Sequence, residues 1–455
     1  MNIKMPTKGK ELIKIAVPAI LESMVMVIVT AIDTKMVSVL GKPTLSAISL
    51  TSQPKLIIMS IFFALGTALS FFVAQAYGRQ DKEEANKYFH SILKVGVALS
   101  IIFGVLTFTF AEPIMHLCSR QAETLHISVS FFRIVAGFMF FNAVLIILNA
   151  ALRGIGLTRI TFVSSIATAV VDLVFNYLLI EGHWGFPALG VVGDAISTVL
   201  GSVAGCTISL IVILKHSDFI SLKGFLSPSS FSDKNINRNI RVKATSVVME
   251  NILIRIGFLL ISYLVSTFTP DQTAVYGVSM ILMGYTFAFG DGLSAATIAL
   301  CGKSVGAKDY DAFRDYKKLA TAVGIVLSLT LSAIYISGAE WFYSLYFSDD
   351  ADLNQGLMTN FIISAITLFQ ILRIVNVGAM RGMGEVNDPR RIATVCVLIV
   401  NPLLGHLFAK VFSMEIYGLW ASTLSTHILW FTLSHIRYHH HLNELVPNSE
   451  AAAEA

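Results

Sequence analysis

The chain has 455 residues, of which 55% are hydrophobic and only 14% are charged. A mean hydropathy of +0.71 together with this composition excludes an ordinary soluble globular protein. The formal net charge of +4 says little about binding partners.

Apolar stretches of about 20 residues recur along the whole chain, and each is long enough to cross roughly 30 Å of hydrocarbon. They leave no room for a soluble domain of any size, so the sequence predicts an all-α polytopic membrane protein with twelve transmembrane helices. In chain order the predicted spans are 12–40, 54–76, 92–110, 129–152, 160–180, 190–214, 246–268, 274–300, 319–337, 357–379, 392–412 and 417–436.

The longest polar connector, 215–245, separates the sixth predicted span from the seventh. This position predicts a joint between two six-helix halves. The predicted domains are an N-terminal lobe over 1–214, a cytoplasmic linker over 215–245, a C-terminal lobe over 246–436 and a cytoplasmic tail over 437–455.

The two halves repeat one another at a constant offset of 228 residues. The matching landmarks are Glu22 with Glu250, Gly78 with Gly306, the Arg-Gly-x-Gly motif at 153–156 with that at 381–384, and Gly190 with Gly418. Internal repeats of this kind are typical of secondary transporters, in which the binding sites lie near the bilayer midplane.

The distribution of Lys and Arg predicts the orientation. Most of the 33 basic residues fall on one side, which holds the N-terminus, the even-to-odd loops and the tail. The opposite loops near 181–189, 269–273 and 338–356 contain no Lys or Arg. Short cytoplasmic loops are enriched in basic residues, so both termini are expected in the cytoplasm. Six spans per half then make the two repeats parallel.

Other classes of function find little support in the sequence. The four cysteines are scattered singly, without the spacing of a zinc site or a disulfide framework, and no metal or cofactor is expected. No His-Glu-x-x-His or Gly-x-Ser-x-Gly motif is present, so we do not expect an enzyme. A passive channel is disfavoured because no filter loop is repeated.

Several motifs together resemble the multidrug and toxic compound extrusion (MATE) family of transporters over essentially the whole chain. They are Pro18 in the first span, Asp33 fifteen residues later, the Gly-x-x-Asp loop at 78–81, Leu-Arg-Gly-x-Gly at 152–156, Asn176 in the fifth span and Gly-Val-Val-Gly at 190–193. The resemblance implies two V-shaped lobes around a central cavity.

The resemblance also implies export of organic, often cationic and amphipathic, compounds in exchange for H+ or Na+ across the cytoplasmic (inner) membrane. We expect a monomer in the lipid bilayer that takes a small-molecule drug or metabolite and no nucleic acid. The alternative function is a flippase or exporter of a specific polar or lipid-linked metabolite.

Asp33 is the foremost candidate for coupling to an ion or a proton. An ionisable group inside the bilayer costs at least about 2.5 kcal/mol, so it is a functional candidate by default. The residue 228 positions later is Ile261, and the carboxylate is therefore not a structural need of both lobes. A buried, satisfied carboxylate is the alternative interpretation.

Asp172 and Asn176 stand four residues apart on one face of the fifth span, and we assign them to the same site. The best-matching family members carry Asn first and Asn or Asp second, whereas this chain has Asp first. Thr198 falls where the family places a threonine near the site, and Asp194 occupies a position that is usually small and apolar. Together Asp33, Asp172, Asn176 and Thr198 would offer either hard oxygen ligands for a cation or a carboxylate pair. The two carboxylates of Asp33 and Asp172 in one dry site cannot both stay ionised, so one is expected to hold a proton.

A second set of charges is predicted, more weakly, to line the substrate cavity or a gate. Glu22 and Glu250 occupy equivalent positions of the repeat, and we expect them to stabilise helix starts or an inner gate. The expected neutralising partner of Arg255 is Asp291. The assigned hinge is Pro18, where a backbone hydrogen bond is missing. The full set is Glu22, Glu250, Arg255, Asp291 and Arg373.

Overall fold

The computed structural model describes residues 7–118, 122–215, 217–225, 234–347 and 350–445. Every regular element within these ranges is a helix, which confirms the all-α fold class. Of the predicted linker, residues 216 and 226–233 lie outside the described residues, and so do residues 446–455 of the predicted tail.

The first half of the chain forms eight α-helices and one short 3-10 turn. Their bounds are α1 Thr7–Ser38, α2 Lys42–Gly78, α3 Lys82–Thr109, α4 Ala111–Cys118, α5 Ala122–Gly137, α6 Phe140–Gly154, α7 Thr158–Ile180 and α8 Val191–Lys215, with the 3-10 turn at His183–Gly185. Helix α1 runs through Pro18 without a break in its assigned length.

The second half contains the longer helices and two π-helical stretches. The bounds are α9 Lys234–Val265, α10 Pro270–Gly306, α11 Tyr310–Ser344, α12 Asp350–Gly382, α13 Asn387–Ala393, α14 Asn401–His406 and α15 Glu415–Leu445. The π-helical stretches, Thr394–Val400 and Leu407–Val411, flank α14. Helix α9 begins inside the predicted linker, and α15 extends into the predicted tail.

Ten helices of the described chain are long and apolar enough to cross a membrane, or eleven if a bent pair counts as one span. The bent pair, Thr124–Gly137 and Phe140–Gly154, meets at 44° and covers the predicted span 129–152. The twelfth predicted span, 417–436, lies within α15 but is not among the ten or eleven. Serine, threonine and histidine side chains interrupt its apolar residues and lower its hydropathy.

The chain divides into two compact units, Leu21–Val248 and a second unit of Met1–Ile20 with Met249–Ala455. The first 20 residues therefore group with the second half, whereas the predicted N-terminal lobe contains them. Close packing explains this grouping: a Cβ added to Gly292 of α10 would lie 2.5 Å from the Cα of Ile20.

The repeat is visible in the backbone as well as in the sequence. Asp81 and Asp309, 228 residues apart, each accept a 2.9 Å hydrogen bond from the backbone N–H three residues later and cap the following helix. Gly156 and Gly384 both adopt left-handed φ angles, of 80° and 85°. The two halves thus share local geometry at positions where the sequence alone suggested it.

Each unit has its own apolar core. In the unit Leu21–Val248, Phe62 and Phe132 are buried with their neighbours from α2 and α5. In the other unit, Leu293 and Trp420 belong to a larger cluster that also takes up Leu12 of α1. The polar groups described below interrupt these cores.

Candidate ion-coupling site

Two glycines of α8 bring that helix close to α7 in the unit Leu21–Val248. A Cβ added to Gly193 would lie 2.5 Å from the carbonyl oxygen of Leu179, and one added to Gly201 would lie 2.7 Å from that of Thr168. Even a single methyl group at either position would force the neighbouring backbone to shift. The two glycines therefore set the distance between α7 and α8. This spacing places the polar residues of α8 beside Asp172 of α7.

Asp33 and Asn176 are in direct contact. The Nδ2 amide of Asn176 donates a hydrogen bond to Oδ1 of Asp33 at 2.6 Å, which joins α1 to α7. One turn earlier on α7, Asp172 is hydrogen bonded to the side chain of Thr198 on α8. The structure therefore brings together the four residues that the sequence assigned to one site, and their role in coupling stays a prediction.

Asp194 of α8 extends the site and is only 1% exposed. Its side chain lies within hydrogen-bonding reach of Asp33. Neither of its carboxyl oxygens receives a hydrogen bond from an N–H or O–H group of the described residues. Two ionised carboxylates this close in a dry site repel each other, so a proton on one of them or a cation beside them would stabilise the pair. Asp33 and Asp194 thus form a pair suited to hold one proton.

Lys55 of α2 supplies the positive charge of the site. Its ammonium group is half-buried and interacts electrostatically with all three aspartates, Asp33, Asp172 and Asp194. Lys55 was not among the site residues predicted from the sequence, although it is the sole basic residue in the predicted span 54–76. Three carboxyl groups and one ammonium group therefore share this region of the unit.

The site has more hydrogen-bond acceptors than donors. Four buried oxygens receive no hydrogen bond within the described part of the chain: Oδ1 of Asp172, Oδ1 of Asn176 and both carboxyl oxygens of Asp194. Buried acceptors without donors are costly, and a proton or a cation relieves that cost. No group of three or more His, Cys, Asp or Glu side chains among the described residues has the arrangement of a metal site.

The repeat-related glutamates both bind the arginine of the repeated Arg-Gly-x-Gly motif. Oε1 of Glu22 lies 3.3 Å from Arg153, and Oε2 of Glu250 lies 2.9 Å from Arg381. Glu22 also accepts a 2.6 Å hydrogen bond from Thr161. Each pair lies inside one unit, so both glutamates connect helices of their own unit, and a role as a gate remains a prediction.

The remaining residues of the second set are not brought together as one group. Arg255 of α9 is half-buried, whereas Asp291 of α10 is exposed. Among the ion pairs of the described residues there is none between these two side chains, so the expected mutual neutralisation is not observed. Arg373 is buried and donates its Nε hydrogen to Nδ1 of His427 at 3.2 Å.

Known proteins match this chain both in sequence and in fold. The MatE family model matches the chain twice, over residues 18–178 and 247–407. The chain belongs to the MATE family of transporters. The two matched segments correspond to the two halves of the internal repeat.

Curated relatives agree with this assignment. An uncharacterized transporter, YisQ of Bacillus subtilis, is 22% identical over 399 residues, covering 86% of each chain. A probable multidrug resistance protein, NorM of Thermotoga maritima, is 22% identical over 432 residues, covering 94% of this chain and 92% of the relative. The chain is thus a multi-pass membrane transporter by family, and its relatives are transporters.

Solved MATE structures share the fold. A multidrug resistance MATE family transporter of the MOP superfamily in an outward-facing conformation superposes with a TM-score of 0.89 over 96% of both chains, at 16% identity. A crystal structure of MATE in complex with MaL6 gives the same TM-score over 96% of this chain and 97% of the other. At this level of identity the similarity establishes the fold alone.

Proposed function

We propose that this MATE transporter is an antiporter that exports amphipathic organic compounds in exchange for protons. The observation that carries the proposal is the close Asp33–Asp194 carboxyl pair, which one shared proton would stabilise. Several relatives are named probable multidrug resistance proteins, which supports export of organic small molecules. The distribution of basic residues supports cytoplasmic termini, and the bacterial relatives support a location in the inner membrane.

The proton is the favoured coupling ion, and Na+ is the second candidate. A sodium ion prefers hard oxygen ligands, and the four buried oxygens without donors could supply some of them. A proton shared by the two carboxyl groups would remove their mutual repulsion without needing any further ligand, which favours the proton. Lys55 offsets part of the negative charge when the proton leaves.

Loss of the proton gives the pair an additional negative charge, and the pair then favours a different arrangement of α1, α7 and α8. Pro18 is the proposed hinge in α1, since proline removes one backbone hydrogen bond within the helix. The boundary between the two compact units falls two residues later, between Ile20 and Leu21. Protonation would then bias the bend of α1, and with it the access to the cavity.

The deciding experiment is transport in proteoliposomes with a pH gradient or a sodium gradient imposed separately. We expect export of a fluorescent amphipathic compound to follow the pH gradient and to be indifferent to sodium. Transport that follows sodium alone would reject the proton and favour the second candidate. A protein that moves a lipid-linked metabolite and no soluble compound would instead support a flippase.

A further inference from the structure

The unit that contains α12 and α15 has a buried basic cluster. Arg373 of α12 is 9% exposed, and its guanidinium lies 3.7 Å from the ring centroid of Trp430 on α15. Its Nε hydrogen is donated to Nδ1 of His427. These contacts hold the arginine against an aromatic face and an imidazole ring, neither of which carries a negative charge.

The positive charge of this cluster is not balanced locally. No carboxylate among the described residues forms an ion pair with Arg373. Glu250, which acts on Arg373 electrostatically, is bound directly to Arg381 at 2.9 Å. Two arginines therefore share one carboxylate. A buried charge without a carboxylate bound directly to it is unfavourable, so its presence indicates a ligand or a function.

The cluster also offers hydrogen-bond donors. A guanidinium group cannot accept a hydrogen bond, so Nδ1 of His427 must be the acceptor, and its ring hydrogen is then on Nε2. Trp430 Nε1 and Thr426 Oγ1 are buried and have no hydrogen-bond partner in the described part of the chain. Thr426 and Trp430 are four residues apart on α15 and share a face.

The other half of the repeat has no comparable cluster. The residues 228 positions before Arg373 and His427 are Leu145 and Val199, both apolar. Thr426 itself corresponds to Thr198, which belongs to the acidic site of the other unit. Only Thr426 therefore has a polar counterpart in the acidic site, and the positions of Arg373 and His427 are apolar in the first half. Packing requirements shared by the two halves do not explain the arginine.

We propose that the Arg373, His427 and Trp430 cluster binds an anionic group, a carboxylate or similar oxyanion, of the exported compound. This inference rests on the proposed function as an exporter and narrows its substrates to compounds that carry an anionic group on an apolar frame. Arginine suits this task because its planar fork matches a carboxylate with two hydrogen bonds. The aromatic ring of Trp430 provides an apolar wall beside it.

The test is a comparison of two dyes that differ in one carboxyl group. Rhodamine 110 has a free carboxylic acid, and rhodamine 123 is its methyl ester with the same cationic ring system. Binding to the purified full chain in detergent is measured by fluorescence anisotropy. We expect the acid to bind about tenfold more tightly than the ester, as a charge-assisted hydrogen bond implies.

Variants assign the preference to the arginine. Arg373→Gln is expected to reduce the acid-to-ester affinity ratio to about one, and Arg373→Lys to retain part of it. Lys317→Gln is the matched control, because Lys317 is also buried in this unit, with its ammonium 4.6 Å from the ring centroid of Tyr438. The control is expected to keep the wild-type ratio. Thermal unfolding of each variant checks that it is folded.

The inference is overturned if the acid does not bind more tightly than the ester to the wild type, including the case in which neither binds. It is also overturned if folded Arg373→Gln keeps the preference or if Lys317→Gln loses it. The measurement uses no ion gradient. A protein that prefers the acid but does not couple transport to protons would reject the proposed function and leave this inference standing.

Discussion

Asn176 donates a hydrogen bond of 2.6 Å to Asp33, across 143 residues of sequence. Because Asn176 is an amide, it can donate to Asp33 whether or not the carboxyl group carries a proton. The contact therefore holds α1 and α7 together while the protonation state changes. In the proposed mechanism Asp194 is the partner that responds to the change, since its repulsion with Asp33 grows when the shared proton leaves.

Asp33→Asn is expected to abolish coupled efflux while expression and membrane insertion remain normal. The change removes the ionisable group with almost no change in volume. The measurement is efflux from proteoliposomes under a pH gradient, with the amount of reconstituted protein determined in parallel. Efflux at the wild-type rate would remove Asp33 from the coupling mechanism.

Asp194→Asn is expected to mimic the permanently protonated pair, because the amide can donate a hydrogen bond to Asp33 at any pH. Substrate binding should persist, and its dependence on pH should largely disappear. Asp218→Asn is the control, since Asp218 is an exposed carboxylate of the same unit. A pH profile of binding that is unchanged by Asp194→Asn would contradict the paired role.

Losses from Asp33→Asn and Asp172→Asn are expected not to add. Both residues interact with Lys55 and with each other electrostatically, so removal of one already disables the shared site. The double variant should transport about as poorly as either single variant. The rates of all three are compared with the wild type under the same gradient, and losses that multiply would place the two aspartates in separate sites.

Arg255→Ala and Asp291→Asn are expected to change substrate range or expression without changing the ion dependence of transport. The aspartates of the acidic site all lie in the unit Leu21–Val248, whereas both of these residues belong to the other unit. The pH and sodium profiles of efflux are measured for each variant. A displaced profile for either one would show that the second unit also takes part in coupling.

Glu250→Gln is expected to destabilise the protein more than Glu22→Gln. The amide can keep the contact of Glu22 with Thr161, whereas the residue in the corresponding position of the second half is Pro389. Breaking a buried ion pair on one side costs about 3–5 kcal/mol, and the Glu250 pair is the more buried. Thermal unfolding in detergent compares the two, and an equal or reversed order would contradict the argument.

The all-α fold, the repeat and the grouping of Asp33 with Asn176 could be predicted from the sequence. The reason is that span length, a constant offset and helical spacing are local or periodic signals. The contribution of Lys55 was not predicted, because its approach to the three aspartates depends on tertiary packing between helices that are distant in the sequence. The expected pairing of Arg255 with Asp291 is not observed for the same reason. Both residues lie in apolar segments, but Arg255 is half-buried and Asp291 is exposed. Partners between distant helices are set by packing that spacing does not report.

The second half of the repeat has no counterpart of the acidic site. The residues that correspond to Asp33, Asp172, Asn176 and Asp194 are Ile261, Val400, Leu404 and Ser422. Ile261 is 3% exposed and packs in an apolar cluster with Val265 and Leu419, so the same helix position is compatible with an ordinary core. The repeat unit therefore tolerates an apolar residue where Asp33 lies, so the fold itself does not call for the buried carboxylates, and their cost is one that only a function in the first half would justify.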